Sequence, residues 1–125
     1  MTARILLIED EPALRQLLMA ALSKAGHSVV VANDGREGTA LLTQQPVDLV
    51  ITDMLMPNSD GIEMMLGLRQ THPQLPIIAM TGGHQLGPDY YLRIAKTLGA
   101  SRLLQKPFPI ADLLGAVDAL MLPPA

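Results

Sequence analysis

Five polar side chains follow short strand-like runs, and their types suit the handling of a phosphoryl group. Glu9 and Asp10 follow the run 5–8, Asp53 follows 49–52, Thr81 follows 77–80, and Lys106 follows 102–105. If the strands that these runs predict lie in the order 2-1-3-4-5, strands one and three are neighbours and Glu9, Asp10 and Asp53 form a three-carboxylate cluster. Such a cluster repels itself unless something positive binds. Hard oxygen ligands completed by water suit Mg²⁺, held through one or two carboxylates plus a phosphate oxygen. Lys106 then adds a point charge and Thr81 a hydroxyl, the set needed to hold and neutralise a transferring phosphoryl group.

Alternating strands and helices must position these groups. The run 5–8 fits a strand buried on both faces. Pro12 stands where a first helical residue tolerates proline, and Leu14, Leu17, Leu18, Ala21 and Leu22 repeat at helical spacing before Lys24 and Gly26 close the element. The pattern recurs as a strand over 29–32, a helix over 37–44 opened by Asn33-Asp34-Gly35 and weakened by Gly38, and a strand over 49–52. A helix over 62–70 stops before Pro73, a strand spans 77–80, and a helix over 89–98 ends at Gly99. A strand over 102–105 and a helix over 109–121 finish the series, which Pro123 and Pro124 forbid from continuing. Five such units predict an α/β, doubly wound parallel sheet covered by helices on both sides, with ligands beyond the carboxyl ends of its strands.

The chain has 125 residues, no cysteine and no tryptophan, so one domain is expected, with no disulfide framework, thiolate zinc site or thiol catalysis. A reducing cytoplasm suits that composition. A formal charge of −3 and no paired basic residues argue against a sequence-independent nucleic-acid surface. No apolar stretch approaches membrane-spanning length, and no cleavable leader is indicated at the N-terminus.

The motifs together resemble the response-regulator receiver domain of two-component signalling: the acids after strand one, Asp53-Met54-Leu55-Met56-Pro57 running on to Gly61, Thr81-Gly82, and Lys106-Pro107-Phe108. The resemblance covers the whole chain and implies a three-layer flavodoxin-like (βα)5 fold of sheet order 2-1-3-4-5, with the receiver over 1–122 and a Pro-rich end or linker over 123–125. It implies that Asp53 takes a phosphoryl group from a sensor histidine kinase or a histidine phosphotransfer protein. Asp10, Asp53 and the backbone carbonyl of Leu55 would bind Mg²⁺ directly, and Glu9 through water. Lys106 would pair with the phosphoryl oxygens and Thr81 would turn inward to them; the Lys106–Pro107 bond is usually cis in the family. The partner surface would be the fourth helix (89–98), fifth strand and fifth helix (109–121), read by a downstream effector. The chain would be a signalling module, not an enzyme beyond its own phosphorylation and slow dephosphorylation, with no membrane or nucleic-acid contact of its own.

Some positions depart from the family pattern. Glu9 replaces a usual aspartate, and Leu103 stands where many members carry an aromatic ring that moves with the threonine. Gly82-Gly83 replaces a single small residue. Leu55 and Gly83, at positions that tune access of hydrolytic water, lack polar side chains, which implies slow loss of the phosphoryl group. Each motif alone has an ordinary reading: acids favoured at a helix start, a strand-to-loop turn at Asp53, a loop threonine, a solvated lysine. Their co-occurrence at strand ends favours the chemical one. Met54, Met56, Met64, Met65 and Met80 read as core, His84 as a loop residue, and His27 and His72 as residues near helix ends. One of Tyr90 and Tyr91 is expected to be exposed. The alternatives are a receiver-like module that works without phosphorylation and, from another class, an aspartate-nucleophile phosphoryl-transfer enzyme. The latter wants its nucleophile after strand one and a second aspartate two residues on, where this chain has Pro12 after Glu11.

Overall fold

The computed structural model describes residues 2–54, 61–82, 93 and 96–121. Strands β1 (Arg4–Ile8), β2 (Ser28–Ala32), β3 (Leu49–Asp53), β4 (Ile77–Thr81) and β5 (Arg102–Gln105) form one parallel sheet in the order β2-β1-β3-β4-β5, as expected. Chain direction across the sheet reverses after β2. Because each crossover is right-handed, that reversal sends the helix before it and the two described helices that follow it to opposite faces.

The described helices are α1 (Pro12–Lys24), α2 (Gly35–Gln44), α3 (Gly61–Thr71) and α4 (Ile110–Met121). Pro12 opens α1, and Gly26 leaves it with φ 101°. The second helix begins two residues before the periodicity suggests, because the Asp34 side chain accepts the Glu37 N–H at 2.8 Å and caps it. Gly38, which weakens that helix by propensity, is there for space: a Cβ would stand 2.6 Å from Ile8 Cδ1, so the glycine lets α2 settle onto β1. Of the expected helix over 89–98, Arg93, Lys96 and Thr97 are helical, with the Thr97 hydroxyl donating to the Arg93 carbonyl. Gly83, His84, Tyr90 and Tyr91 lie outside the described residues, as do Leu55, Met56 and 123–125. The last helix starts at Ile110, one residue later than expected.

Alternation along the strands feeds two cores. Leu6, Ile8, Val50, Ile77 and Ala79 pack with Met54, Met64, Met65 and Leu68 on the α2–α3 side. Ile5, Leu7, Leu49, Ile51, Ile78 and Met80 pack with Leu18, Leu22, Leu113 and Val117 on the other. Two polar residues fasten the periphery. The buried His27 accepts the Ala3 N–H through Nδ1 (3.1 Å), tying the turn before β2 to the start of β1. Arg69, half-buried at the end of α3, donates to the carbonyls of His72, Pro73, Leu75 and Gly99 at 2.7 to 3.1 Å.

Candidate functional site

The strand register brings the expected residues to one edge. Ile8 pairs with Thr52, Asp53 with Met80, and Thr81 with Gln105, so Glu9, Asp53, Thr81 and Lys106 stand beside one another where the strands end. Backbone bonds fix that edge: Glu9 N–H donates to Ala32 O (3.1 Å), Met54 N–H to Met80 O (2.8 Å) and Lys106 N–H to Thr81 O (2.7 Å). The Lys106–Pro107 peptide is cis.

Lys106 reaches back across the edge. Its Nζ lies 2.7 Å from Glu9 Oε1 and 2.6 Å from Asp53 Oδ2. Glu9 and Asp53 are buried and Asp10 is exposed, yet one carboxylate oxygen from each of the three lies within 4.8 Å of the others. Burial raises the Glu9 carboxyl above its ordinary range, and the bond and charge of Lys106 with the Glu11 N–H (3.2 Å) offset only part of that rise. Burial alone would lower Lys106, but hydrogen bonds to Asp53 and Glu9 outweigh it and hold the ammonium above its usual value. The pair is asymmetric: Lys106 gains from two carboxylates, whereas Glu9 shares one ammonium with Asp53.

Thr81 is buried, and its hydroxyl has no hydrogen-bond partner among the described residues. A hydroxyl so placed has a donor and lone pairs to offer a group that enters the edge. Glu9, Asp10, Asp53, Thr81 and Lys106 thus gather as expected, while Leu55, expected to offer its carbonyl, lies outside the described residues. Leu103 packs against the α2–α3 core beside Leu98 and Ala100. One neighbour was not read from the sequence: Arg15, whose Nη1 donates to the Glu9 carbonyl (3.0 Å) and to Asn33 Oδ1. A lone cation one turn into the helix after three acids was the available signal.

Comparison with known proteins agrees with this geometry. Residues 5–118 match the family model of the response regulator receiver domain. The chain is 38% identical over 122 residues to the response regulator MprA of Mycolicibacterium vanbaalenii, covering 97% of this chain and 51% of that protein. It spans about half the length of such curated relatives; for MprA of Mycobacterium leprae the figures are 36% identity, 94% and 50%. Among solved structures, the chemotaxis protein CheY4 of Vibrio cholerae superposes with a TM-score of 0.87 at 29% identity, over 97% of this chain and all of that one. TrrA of Thermotoga maritima, solved in complex with Mg(2+)-BeF, gives 0.83 at 29%, over 94% and 98%. Fold, edge chemistry and these likenesses converge, and the chain belongs to the response-regulator receiver family of two-component systems.

Proposed function

We propose that Asp53 accepts a phosphoryl group from a phosphohistidine on a sensor histidine kinase or a histidine phosphotransfer protein, in a Mg²⁺-dependent reaction. The observation that carries this reading is the placement of Asp53, a buried carboxylate 2.6 Å from Lys106 within a cluster of three acids. Three carboxylates against one ammonium leave two formal negative charges, which a divalent cation balances, and the donors are the hard oxygens that Mg²⁺ prefers. Asp10 and Asp53 would hold it, with the Leu55 carbonyl, and Glu9 through water. When bound, the ion supplies charge compensation for the phosphoryl oxygens. An Asp53 oxygen attacks phosphorus as the P–N bond to the donor imidazole breaks, its electron pair staying on that nitrogen. Lys106 exchanges part of its present pairing for the incoming oxygens, and the Thr81 hydroxyl donates to one of them.

An apolar cleft of about 700 Å³ opens beside Lys106, lined by Leu14, Leu17, Pro107, Phe108 and Ile110, and offers the donor protein a seat next to the acceptor. The phosphorylated state would be read by an effector at the face where a helix over 89–98 is expected, together with β5 and α4. The receiver spans 1–122 in this reading and works in the cytoplasm as a switch, catalysing only its own phosphorylation and slow dephosphorylation. Among the described residues, no helix is long and apolar enough to cross a membrane. Intact mass after incubation with Mg²⁺ and a small acyl phosphate tests the site: we predict a phosphate-sized increase that is absent from Asp53→Asn. No increase with that donor or with a cognate kinase would refute the proposal and favour a module that works without phosphorylation.

A further inference from the structure

The two peptide units that flank the Glu9 Cα are each held by a hydrogen bond. The Glu9 N–H donates to Ala32 O (3.1 Å), and the Glu9 carbonyl accepts from Arg15 Nη1 (3.0 Å). The same Nη1 donates to Asn33 Oδ1, and Asn33 Nδ2 donates to Glu37 Oε2 (3.1 Å), so one line of bonds runs from the end of β1 over α1 to the start of α2. Asp10, by contrast, has an exposed side chain that forms no hydrogen bond among the described residues. Its aim toward Glu9 and Asp53 therefore comes from the backbone that precedes it.

We infer that Arg15 is a positioning residue for the cation site: by fixing the Glu9 carbonyl it sets the plane of the peptide between Glu9 and Asp10 and so turns both carboxylates toward one point. The inference rests on the reading of that site given above. Arg15 acts on a bound cation in two opposing ways. As a nearby positive charge it repels the ion; as an anchor it assembles the ligands. Removing it separates the two by sign, because loss of charge alone strengthens cation binding and loss of the anchor weakens it.

The test titrates Mg²⁺ into the full chain and into Arg15→Ala and Arg15→Lys, following the backbone amide shifts of residues 9–11 and 53, with thermal unfolding of each metal-free chain alongside. Arg15→Ala is expected to bind Mg²⁺ about ten-fold more weakly or worse, the loss typical of removing a group that orients a metal ligand. Arg15→Lys keeps one donor within reach of the Glu9 carbonyl and is expected to recover most of the affinity. Tighter Mg²⁺ binding by Arg15→Ala overturns the inference in favour of charge alone. Unchanged affinity with only a lower unfolding temperature overturns it in favour of a purely structural bond. Absence of Mg²⁺ binding by the unsubstituted chain removes the reading of the site itself, and the inference with it, before any variant is compared.

Discussion

Replacing Lys106 with methionine isolates what one ammonium does for two carboxylates. The side chain keeps an apolar stem one atom shorter but loses bonds of 2.7 Å to Glu9 and 2.6 Å to Asp53. A hydrogen bond to a charged group contributes about 1.5–3 kcal/mol, so the two together give an upper figure of about 3–6 kcal/mol. The desolvation that Lys106 no longer suffers, and relief by protonation, return part of this. We predict a net loss of about 3 kcal/mol at neutral pH without metal, within the range for breaking a buried pair. For 125 residues the unfolding entropy is about 0.26 kcal/mol/K, so the melting temperature falls by about 11 °C. The pH dependence follows from Glu9. Burial already raises its folded carboxyl above the unfolded value of 4.5, and losing Lys106 raises it further. The folded variant then holds a proton more tightly than the unfolded chain, so stability is greatest below the unfolded value and falls as pH climbs through the folded one. Thermal and denaturant unfolding from pH 4.5 to 8 should show a deficit that grows with pH, and Mg²⁺ should narrow it by restoring positive charge. Adding Glu9→Gln in a double-mutant cycle should show coupling well above 0.5 kcal/mol, the usual scatter of additivity. A deficit independent of pH, or additive substitutions, would refute the reasoning.

Thr81→Val removes a buried hydroxyl that has no partner among the described residues, so metal-free stability should hold or rise by about 1 kcal/mol, while the amide shifts that Mg²⁺ and beryllium fluoride induce at Gly82 should shrink. A stability loss above that scale would reveal a hidden partner for the hydroxyl. Gly99→Ala places a Cβ 2.8 Å from Arg69 Nε at a φ of 80°, and denaturant melts should show a loss of about 2 kcal/mol from backbone strain and displacement of the arginine. A neutral outcome would mean that the Arg69 bonds to four carbonyls carry little stability.

Residues that act at strand ends were legible because a parallel sheet gives every strand the same polarity: whatever follows each apolar run must lie on one edge. Asp53, Thr81 and Lys106 needed only the strand positions and the order to be brought together. The residues that hold this frame left no such trace. His27 and Arg69 bond to backbone N–H or carbonyl groups, which are the same in every sequence, so nothing in the neighbouring residue types announces the partner, and Arg15 left no more than a lone cation after three acids. Gly38 was legible as an anomaly but with the wrong sense, since propensity counts its flexibility and the fold needs its missing Cβ. The pairing of Lys106 with Glu9 as well as Asp53 was also hidden, because residue types give a site's charges without saying which group fills it before a ligand arrives.

The sheet divides the interior into two packing layers that, among the described residues, share no side chain. Glu9 and Asp53 continue the alternation of Ile5 and Leu7, and of Leu49 and Ile51, which feed one layer. Thr81 continues that of Ile77 and Ala79, which feed the other. A group carried on Asp53 and bonded to Thr81 would therefore join side chains that continue opposite faces of the sheet, making the ligand itself a shared structural member of both layers.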